Sequence, residues 1–127
     1  MIVDSSALAA VSLGESDAED FLEALIYSDD LKMSAATFLE TAIVLDRKNP
    51  GSLDRLTTSL GVAIVPVDRD QVEAARKAYL RYGRNSGHSA RLNFGDCFTY
   101  ALAKVSGDEV LCKGRDFAAT DIPTVPV

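Results

Sequence analysis

Apolar and polar positions alternate along the chain in blocks that predict strands and helices in turn. Met1, Ile2 and Val3 read as a very short strand that meets an acid, Asp4, at once. Ser16 and Glu19 have the spacing of a capping box, and Phe21, Leu22, Leu25 and Ile26 then recur at helical intervals, predicting a helix from about Ser16 to Tyr27. Leu31 to Ser34 reads as a second short strand. Phe38, Leu39, Ala42, Ile43 and Leu45 form the broad apolar face of a helix that carries Glu40 and ends at Lys48-Asn49-Pro50-Gly51. A short helix over Ser52 to Leu60, a buried strand over Val62 to Val67 despite Pro66, and a longer amphipathic helix over Asp68 to Tyr82 follow. Gly83 to Leu92 has no consistent period and reads as a mobile loop. Asp96 to Val105 places Phe98, Ala101, Leu102 and Val105 on one side of a helix that Gly107 terminates, and Glu109 to Cys112 returns as a strand. A turn or short helix surrounds Asp116, and Thr124 to Val127 fits an edge strand, where Pro123 and Pro126 are tolerable. This order predicts one α/β domain over residues 1–127, a three-layer α/β/α unit with a mainly parallel sheet of four or five strands.

Composition narrows this picture. A chain of 127 residues, 47% hydrophobic and 25% charged, suits a single packed core and excludes long disorder. Thirteen basic against nineteen acidic residues give a net charge of −6, which as an average repels nucleic acid. No stretch approaches the ~20 apolar residues of a membrane helix, and MIVDSSALAAV lacks a basic region ahead of its apolar residues, so a soluble cytoplasmic protein is expected, with no membrane partner. Cys97 and Cys112 have neither CxxC spacing nor a nearby histidine pair, which favours two reduced, buried thiols over a zinc site or a disulfide.

Four acids stand where chemistry gathers in such a fold. Asp4 follows the first strand, Glu40 lies on the helix after the second, Asp96 opens a late helix, and Asp116 follows the strand ending near Cys112. Ligands collect outside the carboxyl ends of parallel strands, so residues distant in sequence can meet there. Clustered carboxylates repel unless a divalent cation neutralises them, and an all-oxygen donor set favours Mg²⁺ or Mn²⁺ over zinc. Such a cation polarises a phosphate oxygen and helps deprotonate water, which implies phosphodiester hydrolysis. Each acid also has a plain structural role open to it. Glu40 sits three residues after Thr37, as in a capping box; Asp96 suits a helix N-terminus; Asp116 suits a Gly-Arg-Asp turn.

MIVDSSALAA, SAATFLET around Glu40, LNFGDCFTYALA around Asp96 and LCKGRDFAATDI near the end together resemble, in order and over nearly the whole chain, a PIN domain of the VapC toxin family. The resemblance implies an Mg²⁺- or Mn²⁺-dependent endoribonuclease leaving 5′-phosphate and 3′-hydroxyl ends, the toxin of a type II toxin–antitoxin pair. A VapB-like antitoxin as inhibitor and a homodimer are implied with it. Carried over by position, Asp4, Glu40, Asp96 and Asp116 are the four acidic metal-binding and catalytic sites, and Ser6 is a polar neighbour able to orient Asp4. Arg115 departs from the acid or amide that many relatives carry before the fourth site, and could pair with Asp116 or contact a phosphate. Asp121 is a backup acid better suited to a cap or turn.

Residues 74–95 contain no acid but include Arg76, Lys77, Arg81, Arg84 and Arg91, interleaved with Tyr79, Tyr82 and the single histidine, His88. This window carries +5 and leaves −11 for the remainder. Arginines that grip phosphates beside rings that stack on bases suit single-stranded RNA, with Arg81, Arg84 and Arg91 as the contacts. The alternatives are a solvated helix face, with tyrosines packed inward, and His88 as a loop hydrogen-bonder. A second function remains open: a PIN-like module that binds RNA or a protein without cutting. A receiver-like phosphorylation domain fits less well, because the first strand supplies Asp4 alone rather than an adjacent acidic pair.

Overall fold

The computed structural model describes all residues 1–127. Four strands, β1 (Ile2–Val3), β2 (Lys32–Ser34), β3 (Ala63–Val65) and β4 (Val110–Leu111), form one sheet in the order β3-β2-β1-β4, with every pairing parallel. Six α-helices surround it: α1 (Ser5–Ser12), α2 (Ala18–Ile26), α3 (Ala35–Lys48), α4 (Ser52–Leu60), α5 (Arg69–Tyr82) and α6 (Phe94–Ser106). Side chains leave a strand on alternate faces, and this divides the interior in two. Val3, Met33 and Leu111 join the core under α1 to α4, whereas Ile2, Val110 and Cys112 join the one under α5 and α6. The result is the expected three-layer α/β/α sandwich.

Several local expectations are corrected. Helix α1 is not marked by an amphipathic period because SSALAAVS consists mostly of small alanines and serines, of which Ala7 and Ala10 are buried with Leu8. Ser16 and Glu19 make no capping box: α2 begins at Ala18 behind Asp17, whose side chain makes no cap bond. Strand β3 is an exposed edge of three residues, with Ile64 39% accessible, because it pairs only with β2. Pro66 lies beyond it. The expected last strand is reduced to one bridge between Val110 and Thr124, since prolines at 123 and 126 remove ladder donors.

Gly83 to Leu92 is a loop tied by its own hydrogen bonds. Gly83 and Leu92 form a parallel bridge, Ser86 Oγ donates to Gly83 O at 2.7 Å, and His88 Nδ1 accepts from the Ala90 amide at 3.0 Å. Arg91 adopts φ 51° between Ala90 and Leu92, both fully buried, a left-handed kink that lets both neighbours point inward while the arginine stays out. No helix is long and apolar enough to cross a membrane.

Candidate active site

Asp4, Glu40, Asp96 and Asp116 line one open basin of about 400 Å³, together with Ser5, Ser6, Asn93 and Lys113. It lies at the carboxyl edge of the sheet: Asp4 directly follows β1, and the loop after β4 carries Lys113 and Asp116. Helices α3 and α6 bring in Glu40 and Asp96 from the side.

Asp4 is the most constrained of the four, with 6% of its surface accessible. It caps α1: Oδ2 accepts the Ser6 amide at 3.1 Å and the Ser6 hydroxyl at 2.7 Å. The Ser6 oxygen in turn accepts the Lys113 amide at 2.9 Å, so Ser6 joins Asp4 to the loop after β4. Oδ1 accepts from the fully buried Thr99 hydroxyl at 2.8 Å, and Thr99 lies 3.2 Å from the Thr37 hydroxyl. With Asp4 ionised the direction of this chain is fixed. Thr99 has one hydrogen and spends it on the carboxylate, so Thr37 must donate to Thr99. The chain thereby ties α3, α6 and the end of β1 together through the interior.

Glu40 has no capping role. Helix α3 starts behind Ser34, whose hydroxyl accepts the Ala36 amide at 3.3 Å, which places Glu40 in the second turn and frees Thr37 for Thr99. Asp96 does cap its helix, which begins at Phe94 rather than at Asp96. Its Oδ2 accepts the Asn93 amide at 2.9 Å while its own amide donates to Asn93 Oδ1 at 2.8 Å, a reciprocal capping box. Burial pushes the Asp96 carboxyl up to about 6 against the pull of the Asn93 amide, and the negative charges of Asp4, Asp116 and Glu40 add to the rise. Capping and membership of the acidic group are thus the same side chain's two tasks.

Asp116 is exposed at the basin rim and precedes the short 3₁₀ turn Phe117–Ala119, capping nothing with its side chain. Arg115 forms no ion pair with it, as the salt bridges show. Asp121 belongs elsewhere: it pairs with Lys104 at 2.7 Å and accepts from Tyr100 at 2.6 Å, away from the basin. Lys113, which the sequence did not single out, is the basin's cation; its Nζ is held by Glu15 and by Asp17, the latter at 3.0 Å.

The donor set is hard oxygen throughout. Burial drives the Cys97 thiol up to about 11 and the Cys112 thiol up to about 12, with nearby carboxylates adding to both, and neither cysteine lines the basin. No three acidic, histidine or cysteine side chains stand close enough together to hold a metal ion by themselves. The oxygen donors of the basin suit a hard divalent cation that keeps waters and substrate oxygens around it.

In the basic window, Arg81, Arg84 and Arg91 are all exposed. Arg81 lies 4.8 Å over the Tyr82 ring, whereas Arg76 is already engaged by Glu73 at 3.1 Å. Tyr82 packs inward with 2% accessible, and His88 meets its ring edge-on in the loop, so neither lines the basin. Of the residues missed by sequence reading, Asn93 was detectable from the N-x-x-D spacing. Thr99 carried no signal, because a polar residue within an apolar helical block reads as core filler, and Thr37 offered only its capping-box spacing to Glu40, which the structure does not use.

The PIN domain family model matches residues 1–123. Ribonuclease VapC of Mycolicibacterium smegmatis is 49% identical over 98% of this chain and 99% of its own. Ribonuclease VapC30 of Mycobacterium tuberculosis is 48% identical, with 98% of both chains covered. Among solved structures, Mycobacterium tuberculosis VapC20, described as a Sarcin-Ricin loop cleaving toxin, shares the fold with a TM-score of 0.77 at 18% identity, covering 99% of this chain and 98% of that one. A toxin–antitoxin complex from Klebsiella pneumoniae gives 0.76 at 20% identity, covering 99% and 97%. With a parallel sheet that delivers four acids to one basin and close relatives over its full length, this chain belongs to the PIN-domain VapC ribonuclease family.

Proposed function

We propose that the chain is a divalent-metal-dependent endoribonuclease and the toxin of a type II toxin–antitoxin pair. The observation that carries this is the single basin lined by Asp4, Glu40, Asp96 and Asp116. Asp4 and Asp96 are the principal ligands for Mg²⁺ or Mn²⁺, with Glu40 and Asp116 completing the acidic set. A bound cation supplies Lewis acidity, drawing charge from a phosphate oxygen and easing deprotonation of water.

The protein's part is to hold its carboxylates fixed in place. Ser6 and Thr99 grip the two oxygens of Asp4 from opposite sides, which spares that carboxylate rotational freedom. Asn93 fixes one oxygen of Asp96 through its backbone amide. Exposed Arg81, Arg84 and Arg91, on the segment that leads in sequence to Asn93 and Asp96, are the proposed phosphate contacts by which a net-acidic protein holds RNA locally. A VapB-like antitoxin and a second copy of the chain are the proposed protein partners. Leu39 and Ile43 on α3, each 61% accessible, give them apolar surface that the monomer's own core does not use, whereas Leu45 on the same helix is fully buried.

Cleavage of RNA by the purified protein, followed by end mapping, tests the reading. Asp4→Asn and Asp96→Asn should each reduce cleavage by roughly 100-fold or more, and EDTA should abolish it until Mg²⁺ or Mn²⁺ is restored. Undiminished cleavage in both variants, or in EDTA, refutes the mechanism. RNA binding without metal-dependent products would favour the non-cutting module instead.

A further inference from the structure

The second residue of α6 has no side chain, and a carboxylate occupies the space. A β-carbon built on Gly95 would stand 2.8 Å from Cδ and 3.1 Å from Oε1 of Glu40, and nearer still to Oε2. No real β-carbon tolerates the first of these separations, so the Glu40 carboxylate rests directly against the Gly95 backbone.

Backbone conformation does not explain a glycine there. Six other glycines have positive φ, but Gly95 lies in the right-handed first turn of α6, where any residue fits and glycine is a poor helix former. Its distinguishing feature is what sits in the gap. Glu40 reaches it from the second turn of α3, and Asp96, the next residue along, lines the same basin.

We infer that Gly95 is a positioning residue whose missing side chain forms the seat of the Glu40 carboxylate, holding it beside Asp96 in the cation-binding group. The inference rests on the reading of the four acids as a cation site. It gives Gly95→Ala two effects of opposite sign. The methyl group suits the helix and the backbone angles, and the atoms it meets are the far end of an exposed side chain, so the fold absorbs it. Glu40 must then leave its seat, and the site loses a donor.

Two measurements on the full chain, stripped of metal with EDTA and dialysed, test this. Calorimetric titration with Mn²⁺ should show binding to Gly95→Ala weakened about tenfold relative to wild type. Thermal unfolding without metal should show a Tm unchanged or raised by a few degrees. In a Glu40→Ala background the new methyl has nothing to displace, so adding Gly95→Ala should alter Mn²⁺ affinity less than about twofold.

Equal Mn²⁺ affinity in Gly95→Ala and wild type would overturn the seat and leave the cation reading intact. A tenfold loss persisting in the Glu40→Ala background would overturn it too, because the methyl would then act by another route. A lowered metal-free Tm would likewise overturn it, placing the methyl against something that cannot yield. Failure of wild type to bind Mn²⁺ would overturn the cation reading and the seat with it.

Discussion

Asp96 concentrates the electrostatic tension of the site in one residue. Its carboxyl is raised to about 6, first by burial and then by three neighbouring acids, while in the unfolded chain it titrates near its ordinary 3.8. Between those values the native state holds a proton that the unfolded state has released, so the group's contribution to stability is full below about pH 4 and is lost as pH rises through about 6. Asp96→Asn removes the charge but keeps an oxygen to accept the Asn93 amide. Without metal, at pH 7 to 8, the variant should therefore be more stable than wild type by roughly 1–3 kcal/mol, converging with it near pH 4. Saturating Mn²⁺ should narrow or reverse the difference, since binding stabilises the protein that retains the ligand. Denaturant titrations across pH, with and without Mn²⁺, check this; parallel curves at every pH would contradict it.

Among the elements, α3, α6 and β1 each bring one of the acids, and no backbone ladder joins the two helices to the strand end. The Thr37–Thr99–Asp4 chain supplies that link from within. Thr99→Val preserves shape but removes the donor to Asp4 Oδ1 and the acceptor for Thr37, leaving both in a buried setting without their partner. A loss of about 1–3 kcal/mol in stability is expected, together with a drop in kcat larger than any rise in KM for RNA. Thr99→Ser retains the hydroxyl and should restore most of the kcat; a Thr99→Val enzyme with wild-type kcat would reduce the chain to core packing. Helix α1 shows the complementary case. It has little amphipathic period because small residues occupy its buried and half-buried positions alike, yet its N-terminal turn is fixed by the same Asp4 that serves the site.

At the scale of the molecule, net charge conceals two opposing regions. The acid-free window of residues 74–95 carries +5 against −11 elsewhere, and the fold leaves Arg84 and Arg91 exposed while Arg76 pairs with Glu73. If these arginines grip RNA phosphates, Arg84→Ala combined with Arg91→Asn should weaken RNA binding and lower the slope of log affinity against log salt by about 0.7 for each phosphate no longer neutralised. Asparagine is chosen at 91 because it tolerates the left-handed backbone there. Filter binding of a catalytically dead variant over a salt series provides the measurement. An unchanged slope would place the RNA-binding surface elsewhere.

The sequence by itself determined the alternation of strands and helices, the parallel α/β class, the four acids and the acid-free window, because these are properties of neighbouring residues and of spacing. Periodicity reports which face of an element is covered, so it fails where buried and half-buried positions carry the same small residues, as in α1, or where an edge is bare, as in β3. Only the tertiary structure decided that the four acids share one basin, that Asp121 is spent on Lys104 and Tyr100, and that Asp4 is gripped by Thr99 ninety-five positions away. Only it showed a glycine making room for Glu40. Such relations depend on which surfaces meet when the two cores close on the sheet, and a linear pattern carries the residues that will meet without their distances.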